Sequence, residues 1–164
     1  KLSVDLESVN IAEITNSAIA ALREQGDNKS ISWEFSDNTS GAPAMGDPRR
    51  IAQTISAILH NAMKFSPAGS TVSVAVAKHG NFIRVTIADK GHGIPSDTLK
   101  MTELPFTHDS ELFTRNQGGL GLGLWLTRKL QELQGGRFEI ATTGPEGTTV
   151  HLDFARDDRR EQAA

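Results

Sequence analysis

The sequence predicts an α+β fold of two layers, in which helices pack on one face of a mixed β-sheet. Three segments place apolar residues at helical spacing, and five short segments alternate apolar and polar residues. Their order is helix, strand, helix, two strands, helix, two strands, with a long aperiodic stretch before the last helix. The 164 residues suffice for one domain with a sizeable core.

The first two helices carry clear start signals. Asn10 is a good N-cap, and apolar residues follow it at positions 11, 14, 18 and 22. We expect Gly26 to end this helix. Asp47 and Pro48 open the second helix as its N-cap and first-turn proline, and the helix stops near "SPAGS".

The alternation of apolar and polar residues predicts the strands. The segment "SISWEFS" predicts the first strand, and "TVSVAVA" and "FIRVTIAD" predict a hairpin around "HGN". The stretch "NTSGAPAMG" reads as a loop in which a short strand is conceivable. The last helix, "GLGLWLTRKLQELQGG", stops at its paired glycines, and "RFEIATT" and "TTVHLDF" form a closing hairpin around "GPEG".

Composition excludes several classes of function. The net charge is -3, so no general basic field exists to attract nucleic acid. The absence of cysteine excludes disulfide scaffolds and thiolate metal sites, and it agrees with a reducing compartment. No apolar run approaches the roughly 20 residues that span a bilayer. Because the chain begins at Lys1, we expect it to be a fragment of a larger protein.

The segment "HNAMKFS" places Asn61 and Lys64 three residues apart, so they project from one face of the second helix. An amide oxygen can complete a magnesium shell, and a nearby ammonium can meet phosphate oxygens. An ordinary solvated helix face would carry the same residue types.

The segment "DKGHGIP" follows a predicted strand. Asp89 at the strand end can accept a hydrogen bond from an exocyclic amine such as that of adenine. Gly91 and Gly93 would let the backbone approach a flat ligand closely. A simple surface turn is the alternative.

The segment "GGLGLGLW" places glycines 118, 119, 121 and 123 before a helix, where bare amides bind phosphate well. It is not a Walker A loop, which would end in Gly-Lys-Ser/Thr. Nor is it a dinucleotide-binding fingerprint, because "SELFTRNQ" before it is not strand-like. The alternative is a flexible, glycine-rich start of the helix that binds no phosphate.

Together these segments resemble the ATP-binding catalytic domain of bacterial sensor histidine kinases, relatives of DNA gyrase, the MutL repair proteins and the ninety-kilodalton heat-shock chaperone. The segments "DPRRIAQTISAILHNAMKFS", "DKGHGIP", "ELPFTH" and "GGLGLGLWLTRKLQELQGGRFEIATTGPEGTTV" stand in family order. The resemblance implies a Bergerat-type sandwich over residues 1–155, with about three helices on the sheet, a lid at about 94–118 and a charged tail at 156–164.

The resemblance also implies roles for individual residues. Asn61 matches the magnesium-binding asparagine, Lys64 the phosphate-facing lysine and Asp89 the aspartate that reads adenine. Asn61 and Lys64 are therefore the candidate catalytic residues. The remaining candidates for contact with nucleotide are Gly91, Gly93, Ile94, Phe106 of the lid, Gly119, Leu120, Gly121, Leu122, Gly123 and Thr148.

The function implied is binding of Mg-ATP and donation of its γ-phosphoryl group to a histidine. That histidine would lie on an adjacent dimerisation and phosphoacceptor domain, which this chain does not resemble anywhere. A response regulator would be the next acceptor. We expect the parent to be a homodimer, cytoplasmic or anchored in the inner membrane, and this domain to be cytoplasmic, without membrane contact of its own.

The chain departs from the family pattern at three positions. Ala57 stands where a second polar residue is usual and where hydrolytic relatives carry a glutamate that activates water. Leu120 replaces a common threonine, and Thr102 replaces a phenylalanine before the lid glutamate. These departures keep two alternatives open. One is a regulatory pseudokinase that signals as a scaffold, and the other is a stand-alone ATPase, which Ala57 argues against.

Overall fold

A mixed five-stranded sheet with three long helices forms the molecule, and the computed structural model describes residues 3–103 and 120–158. The strands are β1 (Glu7–Val9), β2 (Ser32–Asn38), β3 (Ala44–Gly46), β4 (Thr71–His79), β5 (Phe82–Ala88), β6 (Arg137–Gly144) and β7 (Gly147–Ala155). The helices are α1 (Ile11–Asn28), α2 (Pro48–Phe65), α3 (Ser96–Glu103) and α4 (Leu120–Leu133). The predicted α+β class is confirmed.

The sheet order is β2-β4-β5-β7-β6. Strands β2 and β4 pair in parallel and the other neighbours pair antiparallel, so the predicted mixed sheet and both predicted hairpins are confirmed. Gly80, at a φ of +57°, turns the first hairpin, where His79 pairs with Phe82. The second hairpin closes where Gly144 pairs with Gly147.

The two predicted N-caps are confirmed. The side chain of Asn10 accepts a hydrogen bond from the amide of Glu13 at 3.1 Å. Asp47 Oδ1 accepts from the amides of Arg49 at 3.0 Å and Arg50 at 3.4 Å. Each cap satisfies donors that would otherwise lack a partner in the first helical turn.

The prediction that Gly26 ends α1 is wrong, because the helix continues to Asn28. Gly26 is buried, and a Cβ atom there would lie 2.9 Å from Trp33 Nε1. The glycine therefore serves the packing of α1 against β2. The carbonyl of Gly26 accepts the amide of Ile31 at 2.8 Å, which starts the turn into the strand.

The core lies between the helices and one face of the sheet. Alternate residues of the central strands point into it and are almost completely buried: Val72, Val74, Val76, Ile83, Val85, Ile87, Val150, Leu152 and Phe154. They meet buried apolar residues of the helices, among them Ile51, Ile55 and Leu59 of α2. Burial of each such side chain contributes about 1.5–3 kcal/mol before the entropy of ordering is subtracted.

An ion pair covers part of the opposite face of the sheet. Arg84 on β5 pairs in register with Asp153 on β7 and donates to both carboxylate oxygens, at 2.8 and 3.0 Å. Arg137 also donates to Asp153 Oδ2, at 3.0 Å. Burial alone would raise the pKa of Asp153, but the hydrogen bonds from both arginines hold that pKa below its ordinary value.

Two short elements, β1 and α3, were not predicted, whereas β3 lies in the segment "NTSGAPAMG", where a short strand was allowed for. Strands β1 and β3 form a separate antiparallel pair, in which Val9 lies opposite Ala44. Helix α3 occupies the first part of the stretch that we expected to be a long aperiodic loop. The remainder of the predicted lid, from residue 104 onward, lies outside the described residues. No helix in the described ranges is both long and apolar enough to cross a membrane.

Candidate nucleotide site

A cleft opens between α2 and the carboxyl end of β5. Six predicted site residues lie in its wall: Asn61, Asp89, Gly91, Gly93, Ile94 and Thr148. Apolar side chains from four elements, α2, β5, α4 and β7, complete the lining: Ile58, Ala62, Phe65, Ile87, Leu124 and Val150. Such a combination of apolar walls and a few polar groups is typical of small-molecule sites.

Asp89 is fixed at the end of β5 by backbone contacts. Its Oδ1 accepts hydrogen bonds from the amides of Gly91 at 2.8 Å and Thr148 at 3.2 Å. The amide of Asp89 donates to the carbonyl of Thr148 at 2.9 Å, which extends the pairing of β5 and β7. Within the described residues, no hydrogen bond reaches Oδ2, so this oxygen remains available as an acceptor.

Burial raises the pKa of the Asp89 carboxyl above its ordinary value, and the cause is desolvation. The amide hydrogen bonds from Gly91 and Thr148 and the nearby charge of His92 act in the opposite direction. A carboxylate that is poorly hydrated gains more from a ligand donor than one in open water does.

The glycines after Asp89 serve close backbone packing as well as the cleft. Gly93 has a φ of +90°, and a Cβ atom there would lie 2.6 Å from the carbonyl oxygen of Gly144. A Cβ atom on Gly91 would lie 2.9 Å from the carbonyl oxygen of Phe65. We expected these glycines to admit a ligand, and they also bring the strand end against α2 and the β6–β7 hairpin.

Asn61 and Lys64 lie near the carboxyl end of α2, but only Asn61 lines the cleft. Lys64 is exposed, and its Nζ is 5.3 Å from the centre of the Phe65 ring, which places the ammonium at the margin. Lys29 supports this end of the helix, since its Nζ donates to the carbonyls of Met63 at 3.3 Å and Lys64 at 2.6 Å. Ala57 is exposed one turn before Asn61.

Helix α4 begins at Leu120, so residues 120–123 of the predicted phosphate-binding segment form its first turn. Leu124 follows directly and lines the cleft, which brings the amino-terminal end of α4 to the site. The predicted contacts at Phe106 and Gly119 fall outside the described part of the chain.

Sequence reasoning missed two kinds of site residue. The apolar lining residues Ile58, Phe65 and Val150 looked like ordinary core positions, because periodicity alone does not distinguish a cleft from a core. It also missed Thr143, whose Oγ1 accepts the amide of Ile94 and lies 2.8 Å from Thr148 Oγ1. The threonines of the hairpin are visible in the sequence, but the hydrogen bond from the Ile94 amide to Thr143 joins residues 49 positions apart.

Comparison with known proteins identifies a family for this chain. The family described as "Histidine kinase-, DNA gyrase B-, and HSP90-like ATPase" matches residues 46–158. An uncharacterized sensor-like histidine kinase, R01002 of Rhizobium meliloti, is 33% identical over 152 residues, covering 93% of this chain and 29% of the relative.

Two solved structures share the fold. The catalytic domain of the histidine kinase ThkA superposes with a TM-score of 0.75 at 19% identity, covering 93% of this chain and 96% of that one. Full-length ShkA in complex with AMPPNP superposes with a TM-score of 0.75 at 21% identity, covering 95% of this chain and 32% of that one.

The chain therefore belongs to the histidine kinase-, DNA gyrase B- and HSP90-like ATPase family. Its relatives identify it as the ATP-binding domain of a bacterial sensor histidine kinase. It spans only 29% of the R. meliloti relative and 44% of the sensor-like histidine kinase SenX3 of Mycolicibacterium smegmatis.

Proposed function

We propose that this domain binds Mg-ATP in the cleft, with the adenine amine on Asp89. The observation that carries the proposal is the half-buried carboxylate, whose Oδ1 is held by two amides while Oδ2 is left as an acceptor. The apolar side chains of the lining would cover the two faces of the base. The ShkA complex, which holds an ATP analogue, is a neighbour of the same fold.

The phosphate end of the nucleotide would lie toward α4 and the end of α2. Asn61 would contribute an amide oxygen to Mg²⁺, and the phosphates would supply further ligands, as is usual for this ion. When bound, Mg²⁺ neutralises the charge that develops on the transferring phosphoryl group. Lys64 and the first-turn amides of α4 would hold the phosphate oxygens, with Leu120, Gly121, Leu122 and Gly123 in that turn.

The reaction we propose is transfer of the γ-phosphoryl group to a histidine of an adjacent dimerisation and phosphoacceptor domain. A response regulator would then receive the group, and the parent kinase would act as a homodimer. Because the acceptor imidazole is itself a nucleophile, the domain needs to position and neutralise charge rather than supply a base.

Ala57 favours phosphoryl transfer over hydrolysis. It lies exposed one helical turn before Asn61, and a methyl group can neither orient nor deprotonate water. The same residue, together with Leu120, supports a second candidate: a regulatory pseudokinase that binds nucleotide or a partner protein and signals without efficient transfer.

The test is transfer of label from γ-labelled ATP to a separately supplied phosphoacceptor domain of the parent kinase. We expect Mg²⁺-dependent labelling by the wild type. Asn61→Ala should lower the rate at least about 100-fold, because it removes the metal ligand. His60→Ala is the matched control, since His60 is the exposed neighbour on α2 and does not line the cleft.

Binding of Mg-ATP without any labelling of the acceptor would favour the pseudokinase. Equal labelling by Asn61→Ala and by wild type would contradict the role given to Asn61.

A further inference from the structure

A chain of hydrogen bonds runs from the backbone after Gly93 into the cleft through two threonines. The amide of Ile94 donates to Thr143 Oγ1 at 2.8 Å. Thr143 Oγ1 in turn lies 2.8 Å from Thr148 Oγ1. Thr148 is only 6% exposed and lines the cleft, whereas Thr143 is half-buried in the wall of the β6–β7 hairpin and does not line it.

The bond between the two hydroxyl groups can have either direction, and the Ile94 amide favours one of them. A hydroxyl that accepts an N–H bond becomes a stronger donor, because hydrogen bonds in a chain polarise one another. This polarisation favours the direction in which Thr143 donates and Thr148 accepts. The hydrogen of the Thr148 hydroxyl group then has no partner among the described residues, so it is available to a ligand in the cleft that Thr148 lines.

We propose that Thr143 is a positioning residue that turns Thr148 into a hydrogen-bond donor toward the base. This inference rests on the proposed function. Asp89 supplies an acceptor for the exocyclic amine of adenine, and the neighbouring ring nitrogen N1 is an acceptor that needs a donor. Thr148 would reach N1 directly or through one water. If the bond between the threonines were reversed, Thr148 would offer a lone pair, which repels N1 of adenine.

The experiment compares the affinity for ATP with that for 1-deaza-ATP, in which a C–H group replaces N1. Dissociation constants are measured by calorimetry for wild type, Thr143→Val, Thr143→Ser and Thr142→Val. We expect wild type to bind ATP about three- to tenfold more tightly than 1-deaza-ATP, the range of one hydrogen bond. Thr143→Val should bring this ratio close to one, and Thr143→Ser should restore it.

Thr142→Val is the matched control. Thr142 is the exposed preceding threonine of the same strand, and it does not line the cleft. It should keep the wild-type ratio. A purely structural effect of Thr143→Val would weaken binding of both nucleotides equally and leave their ratio unchanged, which would overturn the proposal. A ratio near one for the wild type would overturn it as well.

Failure of wild type to bind ATP at all would instead refute the proposed function, so the two failures are distinguishable. A second measurement does not depend on nucleotide. Loss of the Thr143 hydroxyl should speed hydrogen exchange at the Ile94 amide severalfold in Thr143→Val, while Thr143→Ser should exchange like wild type. Thr143→Ala replaces the valine variant should that fold poorly, and unchanged exchange in either would contradict the network.

Discussion

At the scale of single residues, Asp89 combines a proposed binding role with a cost to stability. Its carboxyl group is half-buried, and desolvation raises its pKa above the ordinary value. The native state therefore disfavours the ionised form relative to the unfolded chain. This contribution to stability is fully favourable below the ordinary pKa of aspartate and is lost as the pH rises through the raised value.

We therefore expect Asp89→Asn to raise the free energy of unfolding at pH 7. The amide oxygen can still accept from Gly91 and Thr148, while the charge that resists burial is gone. The gain should shrink as the pH falls through the raised pKa and disappear below the ordinary pKa of aspartate, because the wild-type carboxyl is then protonated in both states.

Urea unfolding across this pH range measures the effect, with Glu146→Gln as the control. Glu146 is an exposed carboxylate in the neighbouring hairpin turn and should change stability by less than about 0.5 kcal/mol. A variant Asp89→Asn that is less stable than wild type at pH 7 would show that its hydrogen bonds outweigh its desolvation.

The role of Asp89 as an acceptor at a strand end could be inferred from the sequence, because local order places a carboxylate after an alternating segment. The packing role of the two glycines after Asp89 could not be inferred from the sequence. Gly91 faces the carbonyl of Phe65 and Gly93 faces that of Gly144, and both contacts join segments distant in sequence. The role of Thr143 could not be inferred for the same reason, because the amide that donates to it belongs to the distant residue Ile94.

At the scale of elements, Asp47 connects three segments at the amino-terminal end of α2. It caps the helix, its Oδ2 accepts the amide of Asp5 at 2.9 Å, and its own amide donates to Gln134 Oε1 at 2.8 Å. Helix α2 thus begins at a junction with the amino-terminal segment and α4, and it ends at the candidate site.

We expect Asp47→Ala to cost about 2–3 kcal/mol of stability, because it removes the cap and leaves the Asp5 amide without its acceptor. Asn10→Ala removes an exposed cap of α1 alone and should cost about 0.5–1 kcal/mol. The urea midpoint of unfolding measures each loss of stability, provided that the dependence of the free energy of unfolding on urea concentration is unchanged. Equal losses for the two variants would contradict the junction role of Asp47.

The long elements were predictable because each carries its own pattern. Helix α2 has a cap, a first-turn proline and a buried apolar stripe, and β4 and β5 alternate strictly. Strands β1 and β3 have three residues each and depend on their mutual pairing across the chain. The local sequence therefore gives no sign of β1 and only a weak sign of β3, in the segment "NTSGAPAMG". Helix α3 has no clear apolar stripe, so its sequence does not distinguish it from a loop.

At the scale of the whole molecule, the cleft exists only when the complete fold has formed. Helix α2 contributes Asn61 and Phe65, the end of β5 contributes Asp89, β7 contributes Thr148 and α4 contributes Leu124. These elements are brought together by the sheet order, which places β5 and β7 side by side. The residues matched by the family, 46–158, include all of these contributing elements.

The central claim is that the carboxylate of Asp89 accepts a hydrogen bond from the adenine amine of a bound ATP. Calorimetric titration with ATP, with and without Mg²⁺, on wild type and Asp89→Asn tests it most directly. We predict micromolar-range binding by wild type and a loss of about 1–3 kcal/mol in Asp89→Asn, the cost of mispairing a buried polar group. No binding of ATP by wild type at millimolar concentration, or equal affinity of the two proteins, would contradict the claim.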